Sequence, residues 1–181
     1  MKNAHLIAEQ CSSFFRAWEV MEEHTKLRFR PPPGTTGPFV GTVDLHQLGG
    51  FADFWKLMAP RIVCLAFAAE LGIKALLVQT GKLPDPKARP IVRTGHHLPS
   101  LFKLLPDALS QRVRAATGTF SSDFDAKLQK DAAVFENWRY LYESNQGSSV
   151  DDGFLTALVR ALIAEFEPSA MPRPFGFAGM S

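Results

Sequence analysis

An excess of charge of either sign is missing from this chain. Lys and Arg total 20 against 18 Asp and Glu, a net charge of +2 over 181 residues. So even a balance excludes whole-molecule attraction to nucleic acid or to an anionic membrane and leaves that task to local clusters. Cysteine is nearly absent. Cys11 and Cys64 stand far apart, without metal-ligand spacing, at apolar positions of expected helices. They read as reduced core cysteines of an intracellular protein. A secretory leader is not expected, because His5, Glu9 and Gln10 interrupt the first stretch. The strongest apolar run, Ile62 to Val78, is 17 residues long and holds two charges. A spanning helix wants about 20 residues with few charges, so no membrane span is expected and the cytoplasm is the expected location. Signatures of several chemistries are also missing. Gly34-Thr-Thr-Gly lacks the lysine and the strand–helix setting of a phosphate loop. The chain has no Gly-x-Ser-x-Gly elbow and no zinc motif. No cofactor and no metal site is expected.

What is present is helical patterning. Leu6, Ile7, Cys11, Phe14, Phe15 and Trp18 recur at i, i+3, i+4, i+7 and predict a first helix over residues 3–24. Residues 25–50 carry Arg30-Pro-Pro-Pro-Gly and four further glycines, which predict a long Pro/Gly-rich connection. Phe51 to Met58 reads as a short helix leading into a central one over residues 60–81, with Pro60 at its first position and Gly81 at its end. Three prolines keep residues 82–96 non-helical. Short helices are expected over 97–105 and 107–116. A long helix capped by Ser121, Ser122 or Asp123 should run to about Ser144. A last helix, capped by Ser148 or Ser149, should cover 150–167 and end at Pro168. The fold class is all-α, a four- to five-helix bundle. Residues 1–168 are expected to form one helical domain and 169–181 a C-terminal tail.

The central helix is apolar on nearly every face, so it should be buried on all sides. Yet it carries Glu70 and Lys74. An acid and a base four residues apart share one helical face. A buried carboxylate is costly unless paired and hydrogen-bonded, so Glu70 must have cationic partners. Lys74 and Arg139 are the candidates, with His96 and Tyr140 completing a buried polar network.

Three pieces occur in order: Glu70-x-x-x-Lys74, then Gly95-His96-His97-Leu98, then Trp138-Arg139-Tyr140. Together they resemble the HEPN superfamily, the small helical domains of bacterial toxin–antitoxin, defence and nucleotidyltransferase-linked systems. The resemblance covers about residues 60–165. It implies a helical bundle, a homodimer, and a tie to RNA or nucleotides. Active members of that superfamily carry an Arg followed after four to six residues by a His on a late helix. No histidine follows Arg139 here. Arg89 and His96 satisfy the spacing, but they lie in and beside a proline-rich loop. Arg89, His96 and Arg139 are therefore the catalytic candidates of a metal-independent endoribonuclease, the alternative to a pure binder.

Each residue has a plainer reading. Glu70 and Lys74 suit a structural ion pair. His96 suits a histidine bonded to backbone or a hydroxyl at a helix start. Trp138, Tyr140 and Tyr142 suit the core rather than base stacking. His96 and His97 make a poor metal pair, because adjacent side chains diverge. Between Lys82 and Lys103, five cations face one acid, Asp85. Lys87, Arg89, Arg93 and His97 are the candidates for contacting phosphates; a solvated loop is their bland alternative. The expected function is recognition of RNA, a nucleotide or a partner protein. A structural interaction bundle is the third possibility.

Overall fold

The computed structural model describes residues 2–28, 51–83, 96–139 and 150–166. Among them every regular element is helical. Helix α1 spans Lys2–Arg28, α2 Phe51–Gln79, α3 Leu98–Phe102 and α4 Asp107–Ala116. A 3-10 turn at Gly118–Phe120 leads to α5 (Phe124–Lys130), α6 (Val134–Arg139) and α7 (Asp152–Phe166). The all-α expectation holds. The long connection of residues 29–50 and the tail from 167 onward lie outside the described residues.

Three helices make the centre, and their contacts fix their directions. On α2, Gly72 approaches Cys11, Phe67 packs edge-on to Phe14 at 4.7 Å, and Arg61 pairs with Glu22. Positions on α1 rise as those on α2 fall, so the two helices are antiparallel. Arg61 also reaches Asp152, and Gly72 meets Leu162, so α7 runs parallel to α2. Helix α2 is buried almost all round: Ile62, Leu65, Ala66, Ala68, Ala69, Ile73, Leu76 and Leu77 are all 2% exposed or less. Burying each of the large aliphatic side chains removes about 1.5–3 kcal/mol worth of apolar surface from water. Helices α3, α5 and α6 close the remaining sides: Phe135 of α6 stacks on Phe67 of α2, and Phe124 of α5 packs on Phe102 of α3 and Phe154 of α7.

Helix α2 is also long and apolar enough, over Met58–Gln79, to cross a membrane by length and composition, and 67% of its most apolar stretch is buried inside the protein. Cys11 is buried, Cys64 is half-buried, and neither is in a disulfide. Burial pushes the Cys64 thiol up from its ordinary pKa, which favours the unreactive protonated form.

Helix α1 runs to Arg28, past its expected end at residue 24 and into the stretch read as connection, and three further boundaries differ from the sequence expectation. Pro60 does not start the central helix; α2 runs continuously through it from Phe51. The lost hydrogen bond frees only the carbonyl of residue 56, and Pro60 itself is exposed, so water can serve there. The helix expected to reach Ser144 breaks at Asp131–Ala133. The break releases the Ala132 carbonyl to accept the Leu98 N–H at 3.2 Å, which tethers the start of α3. Helix α7 is capped by Asp151, whose Oδ1 accepts the Phe154 N–H at 2.9 Å; the expected caps, Ser148 and Ser149, lie outside the described residues. Val150 stays outside the helix and packs against the core.

At Gly72, α1 and α7 both press close against α2. A Cβ there would lie 3.1 Å from Leu162 Cβ and 3.3 Å from Cys11 Sγ. Gly72→Val is expected to lower stability by about 1–3 kcal/mol through overpacking. Chemical denaturation of the two proteins measures it; equal midpoints would mean the three helices have room to spare.

Candidate functional site

Glu70 has 1% of its side chain exposed, in the middle of α2. Its neighbours on the same turns, Ala66, Ala69 and Ile73, are fully buried. Helical spacing brings Lys74 back over it, and Lys74 Nζ donates to Oε1 at 2.5 Å. The other oxygen, Oε2, accepts from His96 Nδ1 at 2.8 Å. A carboxylate only accepts, so Nδ1 carries the proton and Nε2 is left outside that bond. The His96 side chain is 39% exposed and that of Lys74 21%. One buried anion thus holds two partly exposed nitrogen groups, with the His96 ring 4.9 Å from that of Phe135 on α6. Phe135 in turn stacks on Phe67 of α2 at 5.1 Å.

His97 faces the other way. It is exposed and caps α3, its Nδ1 accepting from the Ser100 N–H at 3.3 Å and from the Ser100 hydroxyl at 2.7 Å. The two adjacent histidines therefore have separate tasks and do not converge on a metal. Among the described residues no group of three His, Cys, Asp or Glu side chains is placed to hold one.

Of the sequence-derived site residues, Glu70, Lys74 and His96 come together. Lys87, Arg89, Arg93 and Tyr140 lie outside the described residues. Arg139 is the last residue of α6, and its side chain is likewise outside them. Of the basic stretch, Lys82 and Lys103 are described, and both are exposed.

Two charged residues of structural weight were not foreseen. Arg61 is 12% exposed and its guanidinium links Glu22 of α1 to Asp152 of α7. A signal existed, since Arg61 opens the apolar run, but a charge at a helix edge reads as solvated. Asp131 is 1% exposed at the α5–α6 break. Its Oδ1 accepts the Asp151 N–H at 3.3 Å, while its Oδ2 is buried without a hydrogen-bond partner among the described residues. Burial, together with the nearby Asp151 carboxylate, pushes its pKa up to about 6. Burial also raises Asp151, but the Lys127 ammonium at 2.6 Å and the Phe154 N–H outweigh it and hold that carboxyl below its usual value.

Set against known proteins, the chain matches no family model, no curated protein and no solved structure.

Glu70→Ala would leave Lys74 and His96 gathered around an empty buried position. Losing one partner of a buried ionic group costs about 3–5 kcal/mol, and a thermal melt should register it as a fall of many degrees. Glu70→Gln keeps one acceptor and should fall by less. A melt unchanged in Glu70→Ala would show that the carboxylate does not hold this junction.

Proposed function

We propose that the protein is a HEPN-like helical domain that recognises RNA, as a homodimer in the cytoplasm, within a bacterial defence or toxin–antitoxin setting. The observation that carries this reading is the Glu70 junction: a fully buried carboxylate on α2 tied to Lys74 and to His96. These are the first two of the three sequence pieces on which the resemblance rests, and they meet in space. Gly95-His96 is also where the basic stretch from Lys82 joins the described helices. Arg89 and Arg93 suit phosphate better than the lysines do, because a guanidinium offers paired donors in a plane.

A second reading, a metal-independent ribonuclease, is favoured by the hydrogen bond from His96 to Glu70. A buried carboxylate on Nδ1 fixes the tautomer and aims Nε2 as a proton acceptor, the arrangement a general base needs. In that reading His96 takes the proton of a ribose 2′-hydroxyl. The oxygen then attacks phosphorus, the bond to the 5′-oxygen breaks, and that oxygen takes a proton from solvent.

Fluorescence anisotropy with a labelled single-stranded RNA of mixed sequence tests the binding. Arg89→Ala with Arg93→Ala should weaken it and flatten the log Kd against log salt slope by about 1.4, two contacts at about 0.7 each. Equal affinity and slope would remove the basic stretch from the interface. Running the same samples on a denaturing gel separates the two readings: intact RNA supports a binder, and cleavage that His96→Ala abolishes supports the nuclease.

A further inference from the structure

We propose that Asp131 is a proton-operated latch joining the α5–α6 break to the start of α7. The geometry has three parts. Asp131 sits where α5 ends; its own N–H bonds the Lys127 carbonyl at 3.0 Å, and its carbonyl accepts the Val134 N–H that begins α6. Its side chain crosses to α7, where Oδ1 accepts the backbone N–H of the capping residue Asp151. Its second oxygen is buried with no donor among the described residues.

A buried carboxylate oxygen without a donor is costly when charged and much less so when protonated. The charges around it decide what can neutralise it. Lys127 is committed to Asp151, at 2.6 Å, and lies 3.6 Å from Asp123. Lys130 is exposed, and its charge pulls the Asp131 pKa down without offsetting burial. Asp151 is itself anionic and repels a charged Asp131. Among the described residues the nearby cations are therefore placed to satisfy Asp151, and a proton is what remains for Asp131.

The sign follows from linkage. The folded pKa of about 6 lies above the ordinary carboxylate value. A group raised in this way stabilises fully below its unfolded pKa, and that contribution is lost as pH rises through the folded value. The latch is thus tight below about pH 4 and loosens progressively as pH rises to about 6 and above. What it governs is local: the cap of α7, where the Phe154 and Leu155 amides bond Asp151, and the Ala132 carbonyl that holds Leu98.

Hydrogen exchange of the full chain, corrected for the intrinsic pH dependence, tests the proposal. Opening of the first turn of α7 should rise about tenfold from pH 5 to pH 7, while amides in the middle of α2 show no such excess. Asp131→Asn, which keeps an acceptor for Asp151 and cannot ionise, should abolish the dependence. The same dependence in Asp131→Asn, or none in the unaltered protein, would overturn it. Should that variant fail to fold, a carbon-13 titration of the aspartate carboxyls in the unaltered chain reads the same group. A midpoint near 6 that moves with the Phe154 amide supports the latch, and a midpoint near 4 overturns it.

Discussion

A carboxylate placed inside a helix that is buried on all sides constrains everything near it. Glu70 cannot be left ionised in such a place without donors. One donor comes from within the helix, because Lys74 lies one turn on. The second comes from another segment, because Lys74 is bonded to Oε1 and Oε2 lies toward the chain that returns after α2. His96 supplies it, and this fixes where the chain returns after α2. From that point the next residues are determined in turn: His97 caps α3, and Leu98 donates to the Ala132 carbonyl.

The packing around that junction depends on a second constraint, the closeness of α1, α2 and α7 at Gly72. Interhelical contacts this short need a residue without a side chain at the crossing. Gly72 lies two residues after Glu70 and therefore on a different face of α2. One face of the same two turns is pressed against α1 and α7, and another carries the polar junction toward α6. The apolar side chains between them, Ala69, Leu71 and Ile73, are 8% exposed or less. A rod with such different neighbours on each side has little freedom to rotate or slide, which keeps Glu70 and His96 in register.

Much of this was legible in the residues. The all-round apolarity of α2 gave its central place, and the spacing of Glu70 and Lys74 gave their pairing. The requirement that a buried acid be paired pointed to Lys74 and to the Arg139 guanidinium; His96 was placed in the same network but read as bonding backbone or a hydroxyl, whereas its Nδ1 bonds Glu70. The periodicity of Leu155, Leu158, Val159 and Leu162 gave α7. What was not legible were boundaries set by tertiary contacts. Nothing in Lys130-Asp-Ala-Ala-Val-Phe signals a break; it has neither Gly nor Pro, and two alanines favour helix. The chain turns there because the Ala132 carbonyl and the Asp131 carboxyl are needed elsewhere, by Leu98 and by Asp151. Pro60 misled in the opposite direction. A proline costs a helix one hydrogen bond, and at an exposed position that loss does not outweigh the apolar run that follows. The cap of α7 was misplaced because Val150 was counted as its first periodic residue, when it packs on the core from outside the helix.

The two acids buried among the described residues, Glu70 and Asp131, solve the same problem differently. Glu70 is satisfied by two nitrogen donors. Asp131 has one backbone donor and an oxygen left over. Between them runs a short path: Glu70 to His96, two residues along to Leu98, across one hydrogen bond to Ala132, and one residue back to Asp131. A carbonyl that moves with the α5–α6 break must carry Leu98 with it or lose the bond. Leu98 is 1% exposed and held in the core, so the bond is the part that yields. His96 then keeps its place through Glu70 alone. The strongly paired acid on α2 is therefore what would keep the imidazole oriented while the weakly satisfied one at the break changes state. The two junctions can then act independently, although only a few residues separate them.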